Sequence, residues 1–174
     1  AKVPVIDDNG TVVFDSNAIL LWLGDKTGKF VPTDTASGAR AEMLSWLMFI
    51  ATGIGPFSGQ AVHFRTAAPE PKEYALNRYD FEANRHWQII EDRLATHRYM
   101  LGDELWGWAR MAPFVTADDQ LWTRMPNLKR FMDEVGARPA VAKVAELAKA
   151  HTFKTEMDDE AKKAMFPANS RLKS

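Results

Sequence analysis

The pair Asn9-Gly10 constrains this chain more than any other feature. It separates two β-rich runs, Val3-Pro4-Val5-Ile6 and Thr11-Val12-Val13-Phe14. Its residues suit the positive φ angles of a two-residue type I′ hairpin turn. The second run stops at Asp15-Ser16, and an apolar helical pattern begins at once with Ala18, Ile19, Leu20, Leu21, Trp22 and Leu23. A short polar residue in that position is a helix N-cap signal. The expected geometry is a hairpin followed by a helix whose free N–H groups point back toward the hairpin end. Such a helix end accepts a carboxylate or phosphate. Pro4 adds a bond that turns cis at a cost of only about 0.5–1 kcal/mol, and a strand-start proline leaves neighbouring backbone groups open to an outside partner. Together these features suit a peptide-like ligand with a free α-carboxylate. The same residues also serve an edge-strand proline and a plain helix cap.

A hairpin and one helix do not bury a core by themselves, so the chain is expected to open in the middle of a domain. The helix over 17–26 ends at Gly28, and the polar, proline-containing stretch that follows reads as a boundary, with a linker at 33–38. Beyond it the pattern is helical. The run over 39–52 is apolar nearly all round, which places it in a core or between a core and a partner subunit. Gly53-Ile54-Gly55-Pro56 interrupts it, and a kink or break is expected at the proline. A long helix follows over 73–96, with Leu76, Ala83, Trp87, Ile90 and Leu94 as its buried stripe and Tyr79 and His86 beside them. Arg78, Glu82 and Arg85 fall on another face, which spacing alone makes a solvated one. Pro139 fits the first turn of a later helix. After Ala150 the chain turns polar, with Met157, Met165 and Phe166 as its few apolar anchors. That tail is either loose or packed across a cleft or the first domain.

Composition narrows the function classes. Twenty-two basic and twenty-three acidic residues give a net charge of −1, so bulk charge argues against nucleic acid or an anionic membrane as partner. No apolar run reaches the length of a membrane span and no signal peptide opens the sequence. With no cysteine, disulfides, thiolate metal sites and a cysteine nucleophile are excluded from this stretch, which points to the cytoplasm. No metal site is expected. His63 has no Asp or Cys at ligand or triad spacing and reads as a packed or capping histidine.

Val3-Pro4, the hairpin, Asp15-Ser16 and Ala18-Ile19-Leu20-Leu21 resemble the glutathione-binding half of the glutathione transferase family. The string Gly55-Pro56-x-x-Gly59-Gln60-x-x-His63-Phe64 resembles one branch of it, the nu class and its relatives with disulfide-bond oxidoreductase activity. Asn127 to Asp133 and Ala137-Arg138-Pro139-Ala140-Val141 match scaffold helices of the family. The resemblance implies the C-terminal part of a thioredoxin-like α/β domain over 1–32, an all-α helical bundle domain over 39–150 and a tail over 151–174. It implies glutathione as cosubstrate. Val3 would pair its backbone with the cysteinyl part beside a cis Pro4, Asp15 would take the γ-glutamyl ammonium, and Ser16 with the helix N–H groups its carboxylate. Asp15 stands where the family more often has Glu. The resemblance also brings Arg85 into the cleft toward glutathione. Phe57, Phe64 and Trp106 are candidate walls of a second, apolar substrate pocket, although core packing accounts for them equally well. The family's thiol-activating residue is expected upstream of Ala1, so no catalytic residue is assigned. Where the family has a Ser/Thr-x-x-Asp capping box, Glu104 passes straight into Leu105, which reads as a gap closed up in the sequence. The implied activity is attack by the glutathione thiolate on a small electrophile, a disulfide or a peroxide, as in detoxification, in a cytoplasmic homodimer. The alternative is a non-catalytic ligand binder or interaction module of the same fold.

Overall fold

The computed structural model describes residues 3–102, 120–151, 156 and 158–169. Trp106, Met157 and the Glu104–Leu105 junction lie outside them. The first elements are β1 (Val5–Asp8) and β2 (Thr11–Phe14), an antiparallel pair with Val5 opposite Phe14 and Asp8 opposite Thr11. Asn9 at φ 54° and Gly10 at φ 89° form the turn, the conformation expected of the Asn-Gly pair. Helix α1 (Ser16–Thr27) follows without a linker and ends on Gly28 in the left-handed conformation. Asp8 fastens it to the hairpin: its carboxylate accepts from Trp22 Nε1 at 2.8 Å and from Lys26 Nζ. Gly24 lets α1 lie against the following segment, because a Cβ there would stand 2.5 Å from a Val31 methyl.

Ser37 caps α2 (Gly38–Phe49), accepting from the Arg40 N–H. Here the structure departs from a simple kink. The chain passes through one π-helical turn, Ile50–Ile54, and continues directly into α3 (Gly55–Thr66). The Gly55 N–H reaches back to the Ile50 carbonyl, and Pro56, with no N–H to give, begins the next helix. Opposite the wide turn stands His86, held by its Nδ1 on the Glu82 carbonyl at 2.7 Å and packed between Phe49 and Phe57. Only glycine fits at position 53, where a Cβ would lie 2.5 Å from the imidazole.

Helix α4 (Glu73–Thr96) packs along α3 and crosses α6 (Pro126–Gly136), which follows the short α5 (Leu121–Arg124). The core runs through four residues of the expected stripe, Ala83, Trp87, Ile90 and Leu94, and joins Ile54, Met125, Leu128 and Phe131, whereas Leu76, near the start of α4, is only half-buried. Two buried polar groups hold these helices in place. Trp87 donates to Ser58 Oγ at 3.2 Å, joining α4 to α3. The Glu91 carboxylate, 4 % exposed, accepts from the backbone N–H of Asn127 and Leu128 and from the Asn127 amide. It caps α6 from a residue on another helix. Helices α7 (Pro139–Lys149) and α8 (Asp159–Met165) complete the described elements. Among the described residues no helix is long and apolar enough to cross a membrane, and no group of three His, Asp or Glu side chains is placed to hold a metal ion.

Candidate functional site

The hairpin hands over to α1 through Asp15, whose backbone sits at φ 73°, ψ 127°. A non-glycine residue in that region is held there by its surroundings, and such residues cluster at ligand sites. Asp15 Oδ1 accepts from the N–H of Asn17 at 2.9 Å and of Ala18 at 3.3 Å. Asp15 is therefore the cap, and Ser16 is the first residue of the helix. Among the described residues neither Asp15 Oδ2 nor the Ser16 hydroxyl has a hydrogen-bond partner. One carboxylate oxygen secures the helix end while the other keeps its charge available.

Both residues open onto a cleft of about 980 Å³. Its wall begins with Asp15, Ser16 and Asn17 at the end of α1, with Leu20 behind them. Leu47, Ile50 and Ala51, from α2 and the π turn, form the apolar floor. Pro56, Gly59, Gln60 and His63, one face of α3, form the far side. Among the described residues, nothing outside the backbone of α3 and the neighbours of Gly59 lies within 4 Å of where a Gly59 Cβ would be, so α3 presents bare backbone beside Gln60. The last wall comes from Met165 to Asn169, about a hundred residues further along the chain. Residues 165–169 of the tail thus pack at the cleft.

The other expected site residues fall differently. The Val3–Pro4 bond is cis, and Val3 is exposed at the start of the hairpin outside the lining of this cleft. Arg85 does not line it either: its guanidinium is engaged by Glu82, Nη2 to Oε2 at 2.7 Å, on the outer face of α4. Arg78 holds the other oxygen of the same carboxylate. The two guanidinium groups, Arg85 first, keep the Glu82 carboxyl below its ordinary pKa of 4.5. Phe57 and Phe64 turn into the α3–α4 contact, Phe64 stacked on Tyr79 and Phe57 against Tyr79 and His86. Trp106 lies outside the described residues. His63 is the residue that spacing arguments undervalue. It lines the cleft, its ring packs edge-on against Phe166, and among the described residues its nitrogens have no hydrogen-bond partner. The signal was available in Pro56, Gln60 and His63, which share one helical face.

No family model matches the chain. Known proteins do. A glutathione S-transferase domain-containing protein of Dictyostelium discoideum is 32% identical over 155 residues, 82% of this chain and 60% of the relative. The disulfide-bond oxidoreductase YfcG of Escherichia coli is 36% identical over 155 residues, 80% of this chain and 69% of the relative. Among solved structures, the glutathione transferase URE2P6 of Phanerochaete chrysosporium, in complex with oxidized glutathione, superposes with a TM-score of 0.71 at 29% identity, covering 83% of this chain and 70% of that one. The chain therefore spans about three-fifths to seven-tenths of the length of proteins it resembles. A small two-stranded sheet followed by mostly helical structure is the fold of a truncated thioredoxin-like domain with a helical domain after it. By sequence and by fold, the chain belongs to the glutathione transferase family, in the branch that includes the disulfide-bond oxidoreductases.

Proposed function

We propose that the cleft beside Asp15 and Ser16 binds glutathione, and that the bound tripeptide's thiolate attacks a disulfide or another small electrophile. The observation that carries this reading is the junction of Asp15 and α1. A free carboxylate oxygen lies beside a helix N-terminus, which offers one partner for an ammonium and another for a carboxylate. An α-amino acid head presents that pair of charges. Asp15 Oδ2 takes the ammonium; the Ser16 hydroxyl, at the positive end of α1, takes the carboxylate; the Val3 backbone, ahead of Pro4 and beyond the cleft's lining, takes the cysteinyl unit. In a disulfide substrate the thiolate attacks one sulfur, the old S–S bond breaks, and the second sulfur leaves as a thiolate while a mixed disulfide with glutathione forms.

Retention of the full-length protein on immobilised glutathione, followed by turnover of a low-molecular-weight disulfide with reduced glutathione, tests the reading. Retention with turnover is expected. Retention without turnover marks the non-catalytic binder, and loss of both removes the proposal.

We further propose that the protein works as a homodimer. Tyr74 and Phe81 on α4 and Met48 on α2 stand exposed, more apolar surface than a small helical domain leaves in water without purpose. Light scattering should give twice the chain mass.

A further inference from the structure

The wide turn Ile50–Ile54 shows one side to the cleft, where Ile50, Ala51 and Gly55 form part of the lining. Away from the cleft, a single ring from α4 meets three residues that span the turn. The His86 ring stacks on Phe49, before the turn, with centroids 5.2 Å apart and planes at 28°. It fills the space beside Gly53, within the turn, where a Cβ would stand 2.6 Å from Nε2. It leans on Phe57, after the turn, with centroids 4.9 Å apart. His86, Phe49 and Phe57 all stand outside the lining of the cleft. The ring is buried, and its own helix anchors it, with Nδ1 at 2.7 Å from the Glu82 carbonyl. A carbonyl oxygen only accepts, so Nδ1 carries the proton and donates. Glu82 is itself buried and gripped through its carboxylate by Arg78 and Arg85, so the ring stands on a fixed turn of α4.

This contact depends on helical register. Phe49 and Phe57 are eight residues apart, which in a regular α-helix turns them about 80° away from each other. With one residue taken up by the π turn, the separation is equivalent to seven, about 20° short of two full turns. Both rings then face α4. The same extra residue decides where Gly59, Gln60 and His63 point relative to Leu47 and Ala51, the residues across the turn that share the lining with them. We infer that His86 is a positioning residue for the cleft: seated against Phe49, Gly53 and Phe57, it holds the π turn in register and so keeps the α3 wall turned toward Asp15 and Ser16. The inference rests on the proposed binding of glutathione at those two residues.

The test measures the affinity of the full-length protein for reduced glutathione by calorimetry, beside the thermal midpoint of each variant. His86→Ala removes the ring and should weaken binding about tenfold or more, the effect of a misplaced wall rather than of a lost ligand contact. His86→Gln keeps a flat group between the two phenylalanines and an N–H for the Glu82 carbonyl, and should stay within about threefold of the parent. Phe49→Leu, at a half-buried position, takes away one side of the stack. It should weaken binding in the same direction, and it decides the matter if His86→Ala does not fold. Combined, the two losses should fall short of additive, because both substitutions break one contact. Glu91→Gln, on the same helix but away from the turn, should lower the midpoint and leave the affinity unchanged, which separates positioning from a general loss of stability. Parent-like affinity in His86→Ala and Phe49→Leu overturns the inference and leaves glutathione binding standing, as does an equal loss of affinity in Glu91→Gln. Failure of the parent to bind glutathione overturns the reading beneath it, and the inference with it.

Discussion

Asp15 performs two tasks with one carboxylate, and substitutions can separate them. Asparagine keeps a side-chain oxygen for the Asn17 and Ala18 N–H groups and tolerates a positive φ. Asp15→Asn should therefore hold thermal stability near that of the parent while weakening retention on glutathione about tenfold, the loss of one charged hydrogen bond. Asp15→Ala removes the cap as well and should lower stability by about 1 kcal/mol. Equal losses of stability from both variants would show that the charge serves the fold and not a ligand. The sequence made this residue legible because cap, turn and helix start are all local. His63 was less legible, since its ring partner Phe166 lies more than a hundred residues away and no spacing rule joins them.

The helices divide in the same way. The stripe Ala83-Trp87-Ile90-Leu94 reads directly from the 3.6-residue period, and the structure buries it as expected. The cap of α6 does not read from sequence at all, because Pro126-Asn127-Leu128 is capped by Glu91 across the core. Glu91→Gln exchanges one acceptor oxygen for a donor that faces at least one N–H group, that of Leu128 when the amide oxygen keeps the two from Asn127. It should destabilise the protein by about 1–2 kcal/mol, seen as a lower midpoint in denaturant with an unchanged slope. An unaltered midpoint would mean that water caps the helix equally well. Phe57 and Phe64, which the sequence allows as pocket walls or as packing residues alike, stand half-buried against Tyr79, with His86 beside Phe57.

At the scale of the molecule, one ion pair ties the hairpin–α1 unit to the helical bundle. Arg40, 7 % exposed, grips both oxygens of Asp25 at 2.6 and 2.9 Å. Its hydrogen bonds hold the Asp25 carboxyl below its ordinary pKa of 3.8, and Lys26 and Trp22 do the same for Asp8. A carboxyl with a lowered folded-state pKa stabilises the fold above its unfolded value and loses that contribution as pH falls through the folded one. The melting temperature should therefore be level near neutrality and fall below about pH 4. Asp25→Asn should lie lower near neutrality and fall less on acidification. Arg40→Met should cost about 1–2 kcal/mol after allowance for the half-exposed partner. A pH profile identical for parent and Asp25→Asn would remove the pair from this role.

The widened turn at Ile50–Ile54 has a consequence for how this chain tolerates change. An α-helix advances about 100° per residue, so deleting a single residue there would replace the wide turn by α-helical register between α2 and α3, kinked at Pro56. Gln60 and His63 would then swing about a quarter-turn or more around the axis, carrying one wall of the cleft away from the other. Such a deletion would leave the protein ligand-blind, because a local irregularity aims the two halves of the cleft at each other.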